Sequence, residues 1–205
     1  MFNSLLVLLP LLDFQKKNDM FIEPNNNGKT GWIEVVCGSM FSGKTEELIR
    51  RLKRAKIANM QVGIFKPEID VRYDASKIVS HNENMATAHP IKEASQLLYL
   101  AENYNVIGID EAQFFDEKIV EACETLANPG KRVIIAGLDM DYTGKPFGPI
   151  PQLLSVANYV TKLHAICMQC GGIASYSYRT TQNKDQVVLG EKEHYEARCR
   201  NCFHQ

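Results

Sequence analysis

An α/β fold, a parallel sheet flanked by helices with a small cysteine-bounded lobe at the C-terminal end, is predicted by three observations. Short apolar runs alternate with helix-spaced segments between Trp32 and Gly137, a glycine-rich loop joins the first such pair, and two C-x-x-C pairs bracket the last stretch of chain.

Residues 33–37 form a short, largely apolar run ending at Gly38, the pattern of a buried strand feeding a turn. Residues 44 to about 59 carry helix-spaced apolar positions at Leu48, Leu52 and Ala55. The basic cluster Arg50, Arg51, Lys53, Arg54 and Lys56 lies between them and is expected on the solvated face of that helix. Residues 62–65 make a second strand, stopped by Pro67, so the first three elements spell a parallel strand–helix–strand crossover. A helical stretch over 94–103 leads to a strand at 106–109, which runs into Asp110 and Glu111. Another helix, 116–126, precedes an apolar strand at 132–136. Alternation of this kind places helices on both faces of the sheet and ligands at the carboxyl ends of its strands. From Cys167 the chain becomes polar and short-run, so a boundary near residue 160 divides a main domain, 31–160, from a lobe, 161–205. No internal repeat is visible.

Residues 1–30 precede the pattern and are expected to form a poorly ordered extension, with Met20 as an alternative start. Their apolar run, 5–12, is about half the length of a bilayer span, is interrupted by Pro10, and lacks both a basic leader and an A-x-A-like cleavage site, so no membrane anchor is expected. A chain of 205 residues has room for one sizeable core and an accessory module, not for two full domains. With 45% apolar residues and a formal net charge of -1, it is neither a disordered chain nor one with the charge signature of a nucleic-acid partner. Its cysteine spacing suits a metal better than a secreted disulfide framework and fits a reducing cytoplasm. Cys37 and Cys123 sit in apolar surroundings and read as inert core residues.

Gly38-Ser39-Met40-Phe41-Ser42-Gly43-Lys44-Thr45 matches G-x-x-x-x-G-K-[ST] at every fixed position, between a predicted strand and a predicted helix. Glycines let backbone N–H groups turn inward around phosphate oxygens at a helix N-terminus, where unsatisfied donors and the helix dipole favour an anion. Lys44 would reach the terminal phosphates of ATP, and the Thr45 hydroxyl would ligate Mg2+. The sheet is therefore expected to be of the P-loop NTPase type. A second G-K-T, Gly28-Lys29-Thr30, has Glu23 where the first glycine belongs and is discarded.

Asp110 emerges at the same sheet edge, where a carboxylate can hold the metal's hydration shell. By strand alternation Glu111 points the other way, and it is assigned as the base that takes a proton from the attacking hydroxyl. This pair specifies phosphoryl transfer but not the acceptor. A GTPase is disfavoured, because Asn183-Lys184-Asp185-Gln186 has glutamine where a guanine reader needs aspartate.

Cys167-x-x-Cys170 and Cys199-x-x-Cys202 are separated by 28 residues. Four thiolates suit a closed, tetrahedral structural Zn2+ site, a zinc ribbon holding a long excursion. His164 and His204 lie nearby but are not needed as ligands.

With these residues in place, the chain resembles the type II, zinc-containing thymidine kinases from about Gly31 to His204. The resemblance rests on the phosphate loop with the Glu46-Glu47-Leu48 that follows, on Phe65-Lys66-Pro67 with Asp70 and Arg72, on Ile109 through Phe115, on Lys145-Pro146-Phe147-Gly148, and on both cysteine pairs. It implies transfer of the γ-phosphoryl of ATP to the 5′-hydroxyl of thymidine, with deoxyuridine as a second substrate and Glu111 as the base. It also implies that the excursion closes over the nucleoside as a lasso, with Gln186, Val187, Val188, Leu189 and Gly190 reading the base through backbone groups and Tyr195 touching substrate. Met40, Phe114, Leu138, Tyr142 and Ser177 would line the thymine pocket; Asp70, Arg72 and Gln113 would lie on the sugar and phosphate side. Ser39, Tyr142 and Gln186 depart from the commonest residues of the family without removing a reacting group. A homotetramer inhibited by thymidine triphosphate is implied in the same way. The competing expectation is a zinc-ribbon P-loop ATPase that binds nucleic acid through its basic helix.

Overall fold

The computed structural model describes residues 31–68, 88–181 and 194–205. Six strands form one wholly parallel sheet: β1 (Trp32–Gly38), β2 (Val62–Pro67), β3 (His89–Ile91), β4 (Val106–Ile109), β5 (Arg132–Gly137) and β6 (Tyr159–Leu163), in the order β3-β2-β4-β5-β1-β6. Helices α1 (Lys44–Ile57), α2 (Gln96–Leu100), α3 (Lys118–Ala127) and α4 (Ile150–Val156) cover it.

The pleat of β1 explains the two layers. Val36 packs with Leu48, Leu52 and Ala55 of α1, while Ile33, Val35 and Cys37 pack on the opposite face with Leu97, Ile119, Cys123, Leu126 and Leu153 of the other helices. Each fully buried leucine or isoleucine in these layers contributes about 1.5–3 kcal/mol relative to an exposed one. Cys37 and Cys123 lie in this core as expected, and burial pushes both thiols upward, that of Cys37 to about 11.

Arg51 corrects the expectation of a wholly solvated basic face. Lys53, Arg54 and Lys56 are exposed, but Arg51 is fully buried and pairs with Glu34 of β1 (Nη1 to Oε2, 2.8 Å) and Glu47 (Nε to Oε1, 2.8 Å), and donates to Thr161 Oγ1 at 2.8 Å. Arg132 closes on the same Glu34 at 2.6 Å, and the Trp32 indole donates to it at 2.6 Å. A fully buried carboxylate persists here because two guanidinium groups and an indole satisfy it.

Within the main domain two strands and a helix went unforeseen, β3 and β6 at the sheet edges and α4, and no element of the lobe was foreseen. The sheet runs through Leu163, beyond the boundary expected near residue 160. The predicted helix over 94–103 is shorter, Gln96–Leu100. Beyond the sheet, β7 (Ala165–Ile166) pairs antiparallel with β8 (Ile173–Ala174), β9 (Tyr176–Arg179) with β10 (Tyr195–Arg198), and a short α5 (Arg200–Phe203) follows. The lobe's own core is small: Ala165, Cys167, Ala174 and Ala197, backed by Cys199 and Cys202. The N-terminal extension expected over 1–30 lies outside the described residues.

Candidate active site

The glycine-rich loop leaves the end of β1 and enters α1 as the motif requires. Gly38 has φ +146°, and a Cβ there would stand 2.3 Å from the Leu163 carbonyl oxygen; Gly43, just before α1, has φ +85°. Only glycine takes both positions without strain. The Ser42 hydroxyl donates to the Ser39 carbonyl at 2.8 Å, and Lys44 Nζ, buried, donates to the same oxygen at 2.9 Å. Ser39 Oγ is buried with no hydrogen-bond partner among the described residues, so the loop keeps a polar atom for a ligand. These features fit a phosphate-binding cradle.

The acidic pair lies beside it. Thr45 Oγ1 donates to Asp110 Oδ2 at 3.1 Å, which brings the two expected magnesium-side groups together. Burial, followed by the neighbouring charge of Glu111, pushes the Asp110 carboxyl up to about 7. A buried carboxylate held this way gains strongly from a cation.

Strand alternation is not what separates the two carboxylates. β4 ends at Ile109, and Glu111 adopts a left-handed conformation, φ 52°, that starts a 3-10 turn over Ala112–Phe114. Non-glycine residues rarely accept this region, and such geometry clusters at functional sites. Gln113, buried, holds Glu111 in place: its Nε2 donates to Glu111 Oε2 at 2.5 Å while its Oε1 accepts from the Leu138 N–H at 2.9 Å. Gly148 packs so closely that a Cβ would stand 2.2 Å from the Gln113 carbonyl oxygen, and Phe147 meets Phe114 edge to face at 5.6 Å. The Lys145–Gly148 motif is thereby a brace behind the carboxylate pair.

From the C-terminal lobe, β9 alternates. Tyr176 and Tyr178 face Phe203 of α5, with ring centroids 4.4 and 6.1 Å away. Ser177 and Arg179 face the opposite way. Ser177 Oγ accepts from the Met40 N–H at 3.0 Å, so two residues expected in one pocket do meet. Tyr142 and Tyr195 are also brought together, by a residue the sequence did not single out. The buried Arg179 guanidinium stacks 3.6 Å from the Tyr142 ring centre, and its Nη2 donates to the Tyr195 hydroxyl at 2.6 Å. Also missed was Asp139, after β5, paired with Lys162 of β6 at 2.6 Å. The period-two pattern of residues 176–179 could have flagged Arg179; nothing in the sequence flags Asp139. Asp70, Arg72 and the lasso residues Gln186, Val187, Val188, Leu189 and Gly190 lie outside the described residues.

Cys167, Cys170, Cys199 and Cys202 converge, with all four sulfurs within 4.8 Å of one another and Cys170 and Cys199 at 3.7 Å. Tetrahedral zinc with bonds of about 2.3 Å sets its sulfurs about 3.8 Å apart, so the donor set and spacing fit that ion.

The thymidine kinase family model matches residues 31–203. A protein named thymidine kinase from Rhodothermus sp. (strain ITI 518) is 57% identical over 178 residues, 87% of this chain and 84% of that one. Proteins of the same name from Bacteroides thetaiotaomicron and Porphyromonas gingivalis are each 55% identical over 175 residues, covering 85% of this chain and 88% and 86% of theirs.

Proposed function

We propose, on the premise that the chain belongs to the thymidine kinase family, that it transfers the γ-phosphoryl of ATP to the 5′-hydroxyl of thymidine and, as a second substrate, deoxyuridine. The observation that carries this reading is the Glu111 carboxylate, turned out of the strand end, gripped by Gln113 and set next to the Asp110 that touches the phosphate loop. A braced base of this kind serves a water or an alcohol acceptor alike; what favours a nucleoside hydroxyl is the likeness to proteins named thymidine kinase over most of the chain.

In this reading the backbone of residues 38–45 and Lys44 cradle the triphosphate, and Thr45 with Asp110 would hold Mg2+. When bound, magnesium neutralises charge on the phosphates. Glu111 takes the proton of the 5′-hydroxyl, and Gln113 keeps its oxygen aimed. The four cysteines would hold Zn2+ for folding, since their closed set leaves no position for substrate. Met40, Phe114, Leu138, Tyr142, Ser177 and Tyr195 would surround the base, with Asp70, Arg72 and the stretch 186–190 completing the site. We further propose a cytoplasmic homotetramer inhibited by thymidine triphosphate, serving nucleoside salvage. Among the described residues no helix is long and apolar enough to cross a membrane.

The test is a nucleoside panel with labelled ATP and magnesium. Thymidine should yield its 5′-monophosphate and cytosine nucleosides should not; ADP release indifferent to nucleoside would refute the reading. The nucleic-acid-binding ATPase is not favoured, because burial of Arg51 removes a charge from the helix that motivated it.

A further inference from the structure

We propose that Arg179 is a positioning residue for the nucleoside, the clamp that holds Tyr142 and Tyr195 as a pair; this rests on the nucleoside reading of the site given above. Three contacts meet on one guanidinium. Its carbon lies 3.6 Å from the centre of the Tyr142 ring and 5.2 Å from that of Tyr195, and its Nη2 donates to the Tyr195 oxygen at 2.6 Å. Tyr142 belongs to the loop after β5 of the main sheet, while Tyr195 stands directly opposite Arg179 on β10 of the lobe. The clamp therefore ties the lobe to the loop that follows β5 of the main sheet.

The chemistry requires arginine. A planar guanidinium can stack its face on one ring while an in-plane N–H reaches a second, whereas a lysine ammonium offers a point charge with no face. Two residues back on the same strand face, Ser177 accepts the Met40 N–H, so β9 presents one residue to the phosphate loop and one to the aromatic pair.

The experiment measures KM and kcat for thymidine and for ATP in wild type, Arg179→Lys, Arg179→Met, Tyr195→Phe and the Arg179→Met/Tyr195→Phe double variant, with zinc content determined for each. Losing a charged hydrogen bond and a buried cation–π contact predicts a rise in thymidine KM of about tenfold or more for Arg179→Met. ATP KM and zinc content should stay within about twofold, and Arg179→Lys should fall between. If Arg179 works through the Tyr195 hydroxyl, the double variant is no worse than Arg179→Met by more than about twofold. An unchanged thymidine KM in Arg179→Lys and Arg179→Met, equal rises in both substrates' KM, or fully additive variants would overturn the proposal. If Arg179→Met does not fold, Arg179→Lys and Tyr195→Phe decide it alone: an unchanged thymidine KM in either overturns it. A wild-type protein that phosphorylates no nucleoside sinks the functional reading and the clamp together, whereas an active wild type with indifferent variants sinks the clamp only.

Discussion

Replacing Asp110 with asparagine removes a buried charge while keeping the shape of the side chain, and its consequences for stability and for turnover should be opposite. The carboxyl is raised from 3.8 to about 7, chiefly by burial and then by the adjacent Glu111 charge. At about 1.4 kcal/mol per pH unit, the full ionisation of this group costs the metal-free fold up to about 4 kcal/mol. The folded state holds the proton more tightly than the unfolded chain, so the stabilisation is complete below about 4 and is lost as pH rises through about 7. Asp110→Asn lacks that dependence. Between pH 5 and pH 8, wild type should lose about 3 kcal/mol relative to the variant. Urea unfolding without added magnesium, followed through the single tryptophan, Trp32 of β1, measures both proteins. The variant should be the more stable at pH 8 yet lose most of its magnesium-dependent turnover. A stability difference that stays flat from pH 5 to pH 8 would refute the argument that burial and Glu111 strain this carboxylate.

Glu111→Gln should lose about a hundredfold or more in kcat while binding ATP nearly as wild type does, a split that single-turnover kinetics and nucleotide titration resolve. Glu34→Ala leaves Arg51 and Arg132 buried without their shared carboxylate and should cost about 3–5 kcal/mol in denaturant unfolding; a loss under about 1 kcal/mol would mean that water already reaches the network. Cys202→Ser should release the bound zinc, measured by elemental analysis, and raise thymidine KM more than ATP KM, because the lobe carries β9 and β10.

The phosphate loop was legible because its glycines answer to fixed backbone demands at fixed spacing, and the cysteine pairs because four sulfurs around one ion constrain spacing just as tightly. Arg51 was misread as part of a solvated face. Its place, three residues after Leu48 and four before Ala55, is on the apolar stripe, and Glu34 on the facing side of β1 was its partner in plain view; apolar period alone does not distinguish a buried pair from a solvated charge. Glu111 was assigned its role, but its orientation comes from a left-handed turn that alternation does not encode. Strands β3 and β6 escaped because edge strands are half exposed and carry a weak pattern: Tyr159 and Val160 of β6 are both partly open to solvent. The Arg179 clamp joins residues far apart in sequence, so no local window contains it.

The contact between the Met40 amide and Ser177 spans 137 positions of sequence. On a ribosome, the glycine turn emerges early, whereas the hydroxyl that steadies its rim is translated much later, on the strands that the two cysteine pairs bracket. The rim of that turn thus reaches its final form only once the tail of the chain has been made.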